Sequence, residues 1–169
     1  MDNKIDLRIE AKKLRKKLPM KEISSEIVKL LRKNKIYLNA KNVMLFYPTK
    51  FEIDLRELLN DDKNFYLPRV NGDNLEVCPF SSNTPLIKSS LGINEPATIQ
   101  IDPKILDVVI VPALMTDKNG YRLGYGGGFY DRFIKNNNFT TICPIPKELT
   151  VDSLPVEEFD EKIDYIISF

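Results

Sequence analysis

The segment Leu106-Asp107-Val108-Val109-Ile110-Val111 restricts this chain more than any other, because it is an almost unbroken apolar run of strand length. A half-exposed strand alternates apolar and polar residues. A run without alternation must be covered on both faces, as the central strands of parallel sheets are. Segments reading as strands and helices alternate around it, so the expected class is α/β. The run is far short of the roughly 20 apolar residues that span a bilayer.

From Ile5 to Leu18, residues Leu7, Ala11, Leu14 and Leu18 recur at three- and four-residue spacing with basic residues between them. This predicts an amphipathic helix ending before Pro19. A second helix is expected over Lys21 to Asn34, with Ile23, Ile27, Leu30 and Leu31 inward. Asn42 to Tyr47 reads as a buried strand closed by Pro48. Asp54 is placed to cap a short helix through Leu59, with Glu57 at the capping-box position. Phe65-Tyr66-Leu67 predicts a strand ending at Pro68, and Asn71-Gly72-Asp73 a turn into Leu75 to Phe80. Ser81 to Pro103, rich in Ser, Thr, Asn and Pro, reads as a long surface excursion. A helix starts over Phe129 to Lys135, and Thr140 to Cys143 and Ile163 to Ile167 read as the last strands.

At 169 residues without an internal repeat, the chain is expected to form one domain, 1–169. A formal net charge of +1 provides no global field for nucleic acid or an anionic membrane, so neither is an expected partner and any phosphate must be held locally. Cys78 and Cys143 are far apart and read as reduced, buried thiols. The charged N-terminus has no apolar leader segment, and the expected location is the cytoplasm. Histidine is absent, which excludes a His general base, Ser-His-Asp and Cys-His nucleophiles and His-ligated zinc. Carboxylates, Lys, Arg, Tyr, backbone amides and a hard cation remain. That set favours phosphoryl transfer, where the protein positions groups and neutralises charge.

Arg122 to Phe133, RLGYGGGFYDRF, follows the expected central strand and opens a helix, at the carboxyl end of the sheet where open α/β folds bind ligands. Gly124, Gly126, Gly127 and Gly128 remove side chains from the loop, so that its amides and the helix N-terminus can face an anion. The spacing matches neither G-x-G-x-x-G nor a Walker A loop, and by glycine content alone a flexible turn explains it as well. Two neighbours tilt the balance. Arg122 brings a fork of donors suited to phosphate, and Asp131 a carboxylate placed to hold Mg²⁺, although a first-turn helix charge or a pair with Arg132 would also account for Asp131.

The stretch VPALMTDKNGYRLGYGGGFYDRF, with its Asp117–Gly120 turn, resembles the signature of the 5-formyltetrahydrofolate cyclo-ligase family, and the resemblance extends over nearly the whole chain. It implies a three-layer, Rossmann-like sandwich with a mostly parallel central sheet flanked by helices, in a single domain. It also implies ATP binding by Lys4, Arg8, Arg122, Leu123, Gly124, Tyr125, Gly126, Gly127, Gly128, Phe129 and Tyr130, with Arg122 and Asp131 as catalytic residues. The folate would meet Tyr47, Glu52, Tyr125, Gly126, Gly127, Gly128 and Phe129, and Mg²⁺ would sit on Asp131 and Asp160. Lys4 and Arg8 stand four apart and share one helix face, as such a basic pair must. The chain departs from the family in having Phe159 where His usually precedes the aspartate, and in the segment from Ile142 to Leu149.

The activity so implied converts 5-formyltetrahydrofolate to 5,10-methenyltetrahydrofolate. The γ-phosphoryl group of ATP goes to the formyl oxygen, N10 attacks the activated carbon, and ADP and phosphate are released. No protein nucleophile is needed, in keeping with a chain lacking His. The expected partners are the small molecules ATP and folate, with the protein a monomer. The alternative is a non-catalytic nucleotide- or pterin-binding member with an altered C-terminal pocket.

Overall fold

The computed structural model describes residues 3–169. Helix α1 spans Lys4–Arg15 and α2 Met20–Leu31, followed by a short α3 over Lys35–Asn39. The second expected helix thus stops three residues early, because Asn34 turns out of the helix and its side chain caps α3 by accepting from the Tyr37 N–H at 3.1 Å. Within α2 the buried apolar residues are Ile23, Ile27, Val28 and Leu31, whereas Leu30, expected inside, is exposed.

A six-stranded sheet forms the middle layer. Its strands are β1 (Asn42–Met44), β2 (Asn64–Asn71), β3 (Asn74–Phe80), β6 (Val108–Ile110), β9 (Thr140–Ile145) and β11 (Tyr165–Ser168), in the order β11-β9-β6-β1-β2-β3. All neighbours are parallel except the hairpin β2–β3 at one edge. β6, from the apolar run, lies in the interior of the sheet with all three of its residues buried, as expected. Asp107, the charge in that run, sits just before the strand and accepts from the Lys41 and Asn42 amides, both at 2.9 Å.

Strand β2 runs through Pro68 rather than ending there, which corrects the expected boundary. The reason lies in the alternation of donors. Val70 N–H points away from β3 to the Glu95 carboxylate at 2.7 Å, so Pro68, two residues earlier, lacks a donor only on that side and costs the β2–β3 ladder nothing. The excursion from Ser81 to Pro103 is also more ordered than expected. It contains a second hairpin, β4 (Leu86–Lys88) with β5 (Asn94–Pro96). The short helix after β1 is a 3₁₀ turn over Arg56–Asn60. Asp54 accepts from the Arg56 N–H at 3.0 Å, but Glu57 closes no capping box and instead takes Arg32 Nη1 at 2.9 Å.

The pleat sorts sheet side chains into two cores. Val43, Leu45, Phe65, Leu67, Val108, Ile110 and Ile142 meet α2, α3 and the 3₁₀ turn. Met44, Tyr66, Val109, Val111, Cys143 and Ile145 face Leu7 and Ala11 of α1 and Phe133 of α4 (Phe129–Asn136). The second face also carries a small sheet of β7 (Met115–Asp117), β8 (Arg122–Leu123) and β10 (Thr150–Val151). Helix, sheet and helix make the three layers expected of the chain. No helix among the described residues is long and apolar enough to cross a membrane.

Candidate active site

The chain passes from β1 toward β2 on one side and returns through β6 toward β9 on the other, so the strand order reverses between β1 and β6. Their carboxyl ends diverge there and leave a crevice. The segment after β1 supplies Tyr47 and Glu52, and the segment after β6 supplies Arg122 and the glycine run. Helix α1 brings its basic residues to the same end.

Asp117 organises the turn that delivers the loop. Its Oδ1 accepts from the Asn119 and Tyr121 amides at 2.9 and 3.0 Å, and its Oδ2 from the Leu154 amide at 2.9 Å. Arg122 then emerges from β8 with a side chain only 5% exposed. Its Nη1 donates to Pro112 O at 3.0 Å, Tyr130 lies under the guanidinium at 5.4 Å, and Asp131 stays 4.0 Å away, beyond hydrogen-bond reach. The charge of Arg122 is therefore incompletely matched. Leu123 turns into the core. Gly124 lets the loop fold back over Arg122, since a Cβ there would lie 2.7 Å from Nη1. Gly128 takes a left-handed φ of 69° as the N-cap of α4 and offers no capping side chain, so the first-turn amides at Phe129, Tyr130 and Asp131 have no side-chain acceptor.

Arg8 Nε donates to Gly124 O at 2.8 Å, and Gly126 lies against the same guanidinium. Lys4 Nζ reaches Asp160 Oδ2 at 2.6 Å and lies 5.4 Å above the Phe159 ring. Asp160 Oδ2 also accepts from the Glu157 amide at 2.8 Å, while Asp131 Oδ1 accepts from the Glu161 amide at 3.2 Å. Asp131 is thus bonded to the residue next to Asp160, and residues from both ends of the chain close on the loop. Asp131 does not pair with Arg132. Arg132 faces the other way, donating to Gly127 O and Asp73 O at 2.9 Å each and covering Phe129 at 5.1 Å. It ties the loop to the β2–β3 turn.

On the other side of the crevice, Tyr125 donates its hydroxyl to Glu52 Oε2 at 2.9 Å, and Glu52 Oε1 accepts from the Thr49 amide at 2.9 Å. Burial, reinforced by the Glu52 charge, pushes the Tyr125 hydroxyl well above the ordinary phenol range, so it is a donor at any physiological pH. Tyr47 is engaged elsewhere: its hydroxyl accepts from Arg56 Nη1 at 3.0 Å, the Arg56 guanidinium covers its ring at 5.0 Å, and Phe80 lies 6.5 Å off. Cys143 lies beneath the site, its thiol pushed up to about 12 by burial, and takes no part in nucleophilic chemistry.

Arg15, at the end of α1, is a residue that periodicity did not mark. It is 4% exposed, donates Nη1 to the Tyr125 hydroxyl at 3.0 Å and donates Nη2 to Ala113 O. Its spacing from Arg8 is a signal in hindsight, for Lys4, Arg8 and Arg15 stand at i, i+4 and i+11 on one helical stripe.

Open depressions lie elsewhere. One of about 660 Å³ is at the amino ends of β6, β9 and β11. Its carboxylates are already committed, Asp107 as above and Asp164 to the amide and hydroxyl of Thr141.

Comparison with known proteins agrees with this arrangement. The chain is 32% identical over 134 residues to a 5-formyltetrahydrofolate cyclo-ligase of Haemophilus influenzae, covering 72% of each sequence. It is 31% identical over 142 residues to that of Escherichia coli K12, covering 76% of this chain and 78% of the relative. The structure of a 5,10-methenyltetrahydrofolate synthetase from Aquifex aeolicus superposes with a TM-score of 0.85 at 28% identity, covering 98% of this chain and 89% of that one. A synthetase of that name from Mycoplasma pneumoniae, 23% identical with a TM-score of 0.78 over 99% and 98% of the two chains, shares the fold. The family's sequence model matches residues 1–168, and the chain belongs to the 5-formyltetrahydrofolate cyclo-ligase family of enzymes.

Proposed function

We propose that the chain, as a single domain over residues 1–169, catalyses the ATP-dependent closure of 5-formyltetrahydrofolate to 5,10-methenyltetrahydrofolate. The observation that carries this is Arg8 bonded to the glycine loop beside Arg122, whose carboxylate partner stands 4.0 Å off, with Lys4 held by Asp160 in the C-terminal segment that Asp131 also bonds. A buried guanidinium whose carboxylate partner stands 4.0 Å off, with no hydrogen bond between them, is only partly compensated, and a phosphate would complete the match. The uncapped amides of α4 add donors facing the same place.

In this reaction the formyl oxygen takes the γ-phosphoryl group, forming a P–O bond as the bond to ADP breaks. The N10 lone pair then attacks the formyl carbon, the C–O bond to phosphate breaks, and the N10 proton is lost. Arg122, Arg8 and Lys4 hold and neutralise the phosphates, and the loop amides align them. Leu123 contributes backbone only. Glu52, fixed through both oxygens by Thr49 and Tyr125, accepts from pterin N–H groups. Tyr47, paired with Arg56, borders the folate end. Gly126, Gly127 and Phe129 lie between the two ligands.

Magnesium is expected with the nucleotide. Asp131 and Asp160 fit it, two carboxylates held through adjacent residues, and among the described residues no cluster of three acidic, His or Cys groups forms a cage of its own. That donor set suits an ion that keeps most of its shell as water and phosphate oxygens. When bound, it would neutralise phosphate charge. Lys4, now on Asp160, is then free to turn to the nucleotide. The protein is taken to work as a cytoplasmic monomer on these small molecules, with no nucleic acid or membrane partner.

Incubation with 5-formyltetrahydrofolate and Mg-ATP tests the proposal. Methenyl absorbance should grow with one phosphate released per turnover. Binding of both ligands without turnover would instead establish a binding-only family member. Asp131→Asn should abolish most Mg-ATP-dependent turnover while leaving the melting temperature close to that of the parent. A variant that turns over normally, or that unfolds, removes Asp131 from this role.

A further inference from the structure

The phosphate and folate assignments leave Arg15 unused. It is a permanent cation, 4% exposed, at the end of a helix whose neighbouring lysines, Lys12 and Lys13, are exposed. Its two hydrogen bonds go to neutral acceptors, the Tyr125 hydroxyl and Ala113 O, and its Nε is buried with no partner among the described residues. Burying a guanidinium so sparsely matched destabilises the fold. An apolar residue at that point of the α1 stripe would pack the same core at less cost. Stability therefore does not explain Arg15, and its connections do.

Tyr125 is the link. It accepts from Arg15 Nη1 at 3.0 Å and donates to Glu52 Oε2 at 2.9 Å, and Glu52 Oε1 is pinned by the Thr49 amide at 2.9 Å. Because the phenol oxygen accepts from a cation that cannot give up its proton, its own hydrogen is free to point only at the carboxylate. The chain of bonds is directional from guanidinium to hydroxyl to carboxylate. It joins α1 to the loop between β8 and α4 and to the segment after β1, so it links the phosphate side of the site to its folate side.

We infer that Arg15 is a positioning residue that, through the Tyr125 hydroxyl, orients the Glu52 carboxylate for the pterin end of the folate. This rests on the folate assignment of Glu52 above. Arg15 itself touches neither ligand. Its loss weakens folate binding and leaves nucleotide binding intact, the reverse of what loss of Arg8 or Arg122 does.

The test is the dissociation constant for 5-formyltetrahydrofolate measured without nucleotide, beside that for Mg-ATP, in the parent, Arg15→Met, Tyr125→Phe and the double variant. Arg15→Met and Tyr125→Phe should each weaken folate binding about 10- to 100-fold, the range for one charge-assisted hydrogen bond. Mg-ATP binding should move less than about threefold in Arg15→Met. The double variant should bind folate about as weakly as the worse single one, since both cut one chain of bonds. If Arg15→Met does not fold, Arg15→Lys, which keeps the cation but loses the fork that reaches both Tyr125 and Ala113 O, takes its place beside Tyr125→Phe. Folate binding unchanged in Tyr125→Phe overturns the inference, as does an equal loss for both ligands in Arg15→Met. Failure of the parent to bind 5-formyltetrahydrofolate at all overturns the folate assignment itself, and this inference with it.

Discussion

Helices α1 and α2 are each twelve residues long and follow one another in the chain, yet their inward stripes carry opposite chemistry. α2 buries Ile23, Ile27, Val28 and Leu31, and its one buried polar group, Ser24, is satisfied by Met20 O and the Asp54 amide. α1 buries Leu7, Ala11 and Arg15 and turns Lys4 and Arg8 toward the loop and the C-terminal segment. Apolar burial holds α2 to its face of the sheet. α1 gives part of its inner stripe to cations, which lowers its contribution to stability and equips the crevice with charge. One helix packs and the other works, from opposite faces of the same sheet.

The largest effect that would sharpen this contrast is on the packing side. Leu31→Ala, in α2, removes a fully buried side chain and should cost about 2–5 kcal/mol, a fall of roughly 5–15 °C in melting temperature for a chain of this size. Turnover per folded molecule should be unchanged at low temperature. If kcat of the folded protein falls as well, α2 is more than a packing element. Next comes Arg8→Ala in α1. Loss of a charged hydrogen bond to the loop should raise KM for ATP about 10- to 100-fold with the melting temperature moving by only a few degrees. A large drop in stability without a change in KM would erase the distinction between the helices.

The same contrast explains what could be read in advance. The apolar stripe of α2 and the run of β6 announce themselves, because burial selects for a period that a sequence displays directly. Leu30 misleads only because the i, i+3, i+4 pattern admits Val28 in its place. Arg15 stands among Lys12, Lys13, Lys16 and Lys17 and looks like another solvated charge. What separates it is a tertiary contact with Tyr125, 110 residues away, which no local pattern encodes. Pro68 inside β2 is of the same kind, tolerated because of where the neighbouring strand ends rather than because of anything beside it in sequence. At the site, the motif residues Arg122, Gly124 and Asp131 do converge with Lys4, Arg8 and Asp160. Glu52 meets Tyr125, but Tyr47 belongs to a cluster with Arg56 and Phe80 that its place in the motif did not foretell.

The smallest effect concerns Phe159, where the family pattern has histidine. Its ring is 59% exposed and lies 5.4 Å from Lys4 Nζ, beside the Lys4–Asp160 pair. An exposed cation–π contact is worth about 0.5–1 kcal/mol, so Phe159→Ala should change KM for ATP by no more than about fivefold and leave stability nearly unaltered. Phe159→His is the more telling change, because it introduces a titrating ring next to a fixed cation. Above about pH 6.5 the imidazole is neutral and the variant should match the parent. Below that pH it becomes a second positive charge against Lys4, competes for Asp160, and should lower the activity of the variant relative to the parent as pH falls. A ratio of the two activities that stays flat from pH 5.5 to 8 would mean that the Lys4–Asp160 pair does not feel residue 159, and that this end of α1 works independently of the altered C-terminal motif.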